Sequence, residues 1–117
     1  MIYHKELAKG RWFELTLPEQ MANIGSEVLR AIDWKGKDEN YSKQAAERAI
    51  ELTDLTISDP KNRKRLKEIC RLRELICDYF FFDNEYKSDE KQWENYFYPF
   101  MWYARKQHEH RRKRCQK

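Results

Sequence analysis

Apolar residues recur along this chain at spacings of three and four, and no stretch alternates with period two, so the pattern predicts helices and no strand. The longest apolar stripe runs from Ser58 to Phe82. Asp59 suits the N-cap, and Pro60 suits the first helical position, where its missing N–H costs nothing. At about 100° per residue, Leu66, Ile69, Cys70, Ile76, Cys77 and Phe80 share one face, with Arg73 near its middle. The first two turns are strongly basic, at the end where the helix dipole disfavours cations. Local physics selects neither feature, so each points to a cause outside the helix.

Three further helices follow from the same periodicity. Thr16 and Glu19 have capping-box spacing, Pro18 fits the first turn, and Met21, Ile24, Gly25, Val28 and Ile32 share a face. Gly25 in mid-helix costs about 1 kcal/mol against Ala, which predicts close approach of a neighbouring helix. Gly36 is a natural stop. Asp38 or Asn40 caps the second helix, whose inner face holds Tyr41, Ala45, Ala49, Leu52 and Leu55, with Arg48 at its edge. Ser88 or Asp89 caps the fourth, which turns Trp93, Phe97, Phe100 and Ala104 inward. Pro99 falls inside it and is expected to kink or split it. Ahead of the first helix, Trp12, Phe13 and Leu15 are expected to pack on the body.

Four amphipathic helices with short connections predict an all-α fold, an antiparallel up-down-up-down four-helix bundle with a kinked fourth helix. It spans residues 1–104, followed by a basic tail, 105–117. Composition agrees: 117 residues make one domain, charged residues reach 38%, aromatics 15%, and Gly and Pro number three each. The net charge of +4 is unevenly placed: residues 105–117 hold seven Lys or Arg and one Glu, leaving the body slightly acidic. Such a tail suits a polyanionic partner and equally serves as a solubilising end. Cys70 and Cys77 lie about 10 Å apart along one helix, too far for a disulfide, and are expected to be buried as small apolar residues. With Cys115 exposed, this usage predicts a reducing, cytoplasmic setting. Residues 1–15 carry no apolar leader core, and no run approaches the length of a membrane span.

Candidate chemistry is sparse. Arg73 on an apolar face must be paired or reach the surface, with Glu27, Glu51 or Asp54 as its acids. The functional alternative is a core polar pocket of Glu27, Arg48 and Arg73 that takes an anion. Lys61, Arg63, Lys64, Arg65, Lys67 and Arg71, together with Arg111, Arg112, Lys113 and Arg114, are the candidate nucleic-acid contacts. Tyr98 and Trp102, four apart and facing outward, predict a self-association or partner surface, unless Pro99 turns Trp102 inward. His108 and His110 match no structural zinc pattern, no Glu-x-x-His occurs, and no phosphate loop or nucleophile elbow is present, so neither metal nor cofactor is expected.

Arg105 and His110 resemble the Arg-x4–6-His motif of HEPN-domain ribonucleases, which are also helical. That resemblance implies metal-independent RNA cleavage by this pair, although Lys106 stands where that family usually has Asn or Asp. Over residues 11–105, the stretches Glu19–Val28, Asp59–Arg63, Asp78–Phe80, Asp83–Tyr86 and Trp93–Phe100 resemble a family of small bacterial proteins with no assigned activity, so no site residue transfers. At fold level the pattern is similar to the helical accessory proteins of diversity-generating retroelements, which are small, basic and oligomeric and bind nucleic acid.

The sequence therefore predicts a non-enzymatic binding protein that self-associates through its fourth helix. A nucleic-acid accessory role for RNA or DNA and a HEPN-like ribonuclease are the alternatives. An acidic protein is a third kind of partner, and no membrane is involved.

Overall fold

A computed structural model of the chain describes residues 10–115, with side chains as far as Arg112. Its four α-helices are α1 (Leu17–Trp34), α2 (Glu39–Ser58), α3 (Leu66–Phe81) and α4 (Glu90–Cys115). Short 3-10 turns, Arg11–Glu14 and Pro60–Arg65, precede α1 and α3. The described residues contain no strand, and none of their helices is long and apolar enough to cross a membrane.

Local signals fix the helix starts. The Thr16 hydroxyl accepts the Glu19 N–H at 3.3 Å while the Glu19 carboxylate accepts the Thr16 N–H at 3.0 Å. Asp38, not Asn40, caps α2 by accepting from Tyr41 N–H at 3.1 Å. Asp89, not Ser88, caps α4, and Gln92 reciprocates. Between α3 and α4 the buried Asp78 carboxylate accepts the Glu85 and Tyr86 N–H groups at 2.8 and 3.1 Å. It thereby pins a loop that turns through left-handed Asn84 and Lys87.

Packing follows side-chain size. α1 lies against both α2 and α4, and α2 lies against α3. Ala31, Ala45 and Ala46 line the α1–α2 seam, where the Ser42 hydroxyl donates to the Ala31 carbonyl at 2.6 Å. At the α1–α4 seam Gly25 faces Phe97 so closely that an added Cβ would sit 2.6–2.8 Å from it. Phe97 stacks in turn on Trp93, centroids 6.0 Å apart.

Several expectations change. The third helix is shorter than its stripe suggests, because Asn62 turns inward and the chain tightens into 3-10 geometry before Leu66. Its buried face is Ile69, Leu72 and Ile76, not the face centred on Arg73; Cys70 and Leu66 are exposed and Cys77 is only partly buried. Pro99 does not split the last helix: α4 is unbroken, and the Pro99 ring lies on its exposed side. Residues 105–115 continue α4 and do not trail from it. They are held by Gln107, which accepts from the Thr16 hydroxyl at 3.4 Å, and by Arg111, which donates to Glu19 at 3.0 Å.

A buried polar knot ties one end of the molecule. The Gln20 amide donates to the Trp12 carbonyl at 3.1 Å and to Asp59 Oδ2 at 2.9 Å. Its oxygen accepts from Asn62 Nδ2 at 2.8 Å. Asn62 also donates to the Thr56 carbonyl at 3.0 Å, and the Trp12 indole donates to the Thr56 hydroxyl at 3.1 Å. Burial alone pushes the Asp59 carboxyl up, but hydrogen bonds from Lys61 and Gln20 outweigh it and hold the group below its ordinary value.

Two outcomes follow from these contacts. Gly25→Ala gains about 1 kcal/mol of helix propensity but collides with Phe97, so urea unfolding is expected to show a net loss of roughly 1–3 kcal/mol. A variant as stable as the parent would show that the seam yields. Because the Asp59 carboxyl is depressed on folding, its stabilisation is complete above 3.8, its ordinary value, and is lost as pH falls through that value towards the folded one. Asp59→Asn is expected to cost about 1–3 kcal/mol near neutrality and to flatten the decline of stability between about pH 5 and about pH 2. Parallel pH profiles for the two proteins would refute the assignment.

Candidate nucleic-acid interface

Two basic segments distant in sequence meet beside the start of α1. Lys61, in the second 3-10 turn, donates to the Phe13 carbonyl at 3.0 Å and pairs with Asp59. Arg111, near the end of α4, pairs with Glu19 at 3.0 Å. The polar knot holds the first segment in place, and the Thr16–Gln107 contact holds the second. Burial pushes the Glu19 carboxyl up, yet the Thr16 backbone and Arg111 outweigh that, so the acid stays ionised as an anchor.

Beyond these anchors, Arg63, Lys64, Lys67, Arg105 and Arg112 are exposed and meet no carboxylate among the described residues. Arg11, which sequence reasoning passed over, joins them from the first 3-10 turn. Its signal was positional: it immediately precedes Trp12, whose burial fixes that turn. Arg65 is drawn to Glu68 at 2.7 Å. Arg71, one turn beyond Lys67 on α3, has its guanidinium 4.5 Å from the centre of the Tyr86 ring. Lys113, Arg114 and Cys115 have side chains outside the described residues.

The outer face of α4 leads into the basic end. Tyr98 is 51% exposed and Trp102 62%, so Pro99 has not turned Trp102 inward. Tyr103, at 46%, adds a third ring that periodicity alone did not single out. Lys106 lies one turn beyond Trp102, its ammonium 5.7 Å from the ring, and pairs loosely with Glu109 at 3.9 Å. Two exposed rings, Tyr98 and Trp102, thus lead along one helical face to the cation of Lys106.

The expected polar pocket does not form as a unit. Arg48 donates to Glu27 at 3.0 Å, and Glu27 also takes Arg30 at 2.9 Å. Arg73 instead forks onto Asp54, at 2.6 and 3.4 Å, and nearly half of its side chain is exposed. Asp54 was one of the three acids named for it. The Asp54 hydrogen bonds raise the Arg73 pKa still further, and the exposure of both side chains makes this a surface ion pair and not a core charge. Arg73 and Arg48 therefore serve separate acids. Arg105 and His110 are both exposed, and five positions on a helix set them about 140° apart, so one chain does not aim both at a single phosphate. Among the described residues no three metal-ligating side chains converge.

Comparison of the chain with family models, with curated proteins and with solved structures finds no match.

Proposed function

We propose that this chain is a non-enzymatic binding protein whose ligand is single-stranded nucleic acid, held by the basic end and the outer face of α4. The reading is supported by one observation above all. Lys61 and Arg111, fifty positions apart, both anchor beside the start of α1, and their sequence neighbours Arg63, Lys64 and Arg112 are exposed and meet no carboxylate among the described residues. Phosphates supply the counter-charge that these cations lack. Tyr98 and Trp102 supply stacking surfaces of the kind that hold unpaired bases without sequence preference.

The proposal includes an architecture. The four helices run up-down-up-down, which places the end of α2 and the end of α4 beside the start of α1. α4 bends at Pro99, which withholds its hydrogen bond from the Asn95 carbonyl. The reading of Tyr98 and Trp102 as a self-association surface is the second one, favoured by the same exposure of Trp102.

Fluorescence anisotropy of a short labelled single-stranded RNA, across a salt series, tests the proposal. Binding is expected with a steep salt slope. Replacing Arg63, Lys64 and Lys67 by Gln should shallow the log–log slope by about 2. Trp102→Ala should weaken binding by about 1–3 kcal/mol. No binding at low salt overturns the proposal and leaves an acidic protein as the partner of the basic end. Sedimentation of the same proteins separates the second reading: an oligomer that Trp102→Ala dissolves, with RNA affinity unchanged, establishes self-association in its place.

A further inference from the structure

The backbones of α3 and α4 scarcely approach one another, although each packs well on its other neighbour. Between them lies a groove of about 420 Å³, closed at one end by the loop that Asp78 pins. That volume suits one small molecule and is too small for a helix. Leu72 and Leu75 from α3 and Trp93 from α4 make its apolar wall. Two features of the lining are unmet. Trp93 is 4% exposed, and its indole N–H has no acceptor among the described residues. Arg71, on the groove lining, leans on the Tyr86 ring and pairs with no carboxylate among the described residues.

The lining also contains an acid, Glu68, which would oppose an anion if it were free. It is not free. One oxygen takes Arg65 at 2.7 Å, and the other accepts the Tyr96 hydroxyl at 3.2 Å. Burial, reinforced by Glu68, raises the Tyr96 pKa, so that hydroxyl remains a donor to Glu68. The charge left over in the groove is therefore the cation of Arg71.

We infer that the α3–α4 groove binds a small aromatic anion, its ring against Leu72, Leu75 and Trp93 and its carboxylate or sulfonate on Arg71. An oxygen-bearing ligand also supplies the acceptor that the Trp93 indole lacks. The groove borders the basic end through Glu68, but neither the anchors Lys61 and Arg111 nor the cations without a carboxylate there line it, and the inference does not depend on nucleic-acid binding. It also gives Arg71 a task different from that of its basic neighbours.

The test uses the full chain and three probes: 1-anilinonaphthalene-8-sulfonate by fluorescence, then naphthalene-1-acetate and its neutral amide as competitors. One saturable site is expected, with the acid competing at least ten-fold better than the amide. Arg71→Gln should remove that preference while the amide binds as before. Leu75→Trp, with helicity confirmed by circular dichroism, should abolish binding of all three. Trp102 does not line the groove, so Trp102→Ala should leave the binding of the three probes as it is. Equal binding of acid and amide, or an unaltered preference in Arg71→Gln, overturns the anion site. Loss of binding in Trp102→Ala but not in Leu75→Trp places the probe on the outer face of α4 and overturns the groove. Should Leu75→Trp lose helicity, Leu75→Phe serves in its place, and unchanged binding there counts against the groove equally.

Discussion

Gln20 is the side chain on which the rest of this structure depends. It is fully buried on α1, and its one amide joins the turn before α1, the end of α2 and the turn before α3. Both N–H groups donate and the oxygen accepts, so nothing polar is left unpaired on it. Each partner lost would leave a buried group unsatisfied, at about 1–3 kcal/mol each. Apolar packing alone would let four helices slide by a turn at modest cost. A knot with directional bonds sets the start of α1, the end of α2 and the turn before α3 in one register. That register decides which charges gather where, since Asp59 and Asn62 bracket Lys61 in the knot.

Side-chain size then decides which sides of the molecule close. The α1–α2 seam is built of Ala and Ser, and the α1–α4 seam has Gly25 at its tightest point, so backbones there come near. Between α3 and α4 the facing residues are Tyr79, Trp93 and Tyr96, with Tyr79 and Trp93 centroids 5.9 Å apart. Rings of that size fill the space near α1 but hold the two backbones apart, and the groove is what remains at their outer edge. The loop after α3 finishes it: Asp78 fixes the Tyr86 backbone, and Tyr86 supports Arg71. The groove is a consequence of large residues on one seam and small ones on the others.

Legibility from sequence followed the range of each interaction. The capping boxes of α1 and α4 lie within four residues of themselves, and Gly25 announces a close neighbour by its cost. All of these could be read directly. Arg73 could not, because counting Leu66, Cys70 and Cys77 as core swung the apparent apolar face by about 70° from the buried one, which Leu72 belongs to. Gln20 and Asn62 were invisible for a different reason. A polar residue in a core is licensed by a partner 42 positions away, and no local pattern encodes it. The end of α4 was misread as a tail since its docking residues are polar. Yet Phe97, Phe100, Ala104, Gln107 and Arg111 keep one helical spacing, and that rhythm was the available signal.

The two basic segments are tolerated for opposite reasons. In one continuous helix from Asp59, the cations of residues 61–67 would sit against the positive end of the dipole. The 3-10 turn removes most of that conflict: α3 begins only at Leu66, its first turn contains Glu68, and Glu68 draws Arg65 to itself. The knot, through Lys61 and Asn62, then holds the turn in place. At the end of α4 the dipole has the other sign, and Lys or Arg there is favourable without any partner. Neither segment therefore needs an anion in order to fold. What folding does not account for is their gathering at one end, where like charges repel and, among the described residues, Glu19, Asp59, Glu68 and Glu109 each answer one cation while Arg63, Lys64, Lys67, Arg105 and Arg112 meet no acid. That residual repulsion is the electrostatic reason to place a polyanion at this end.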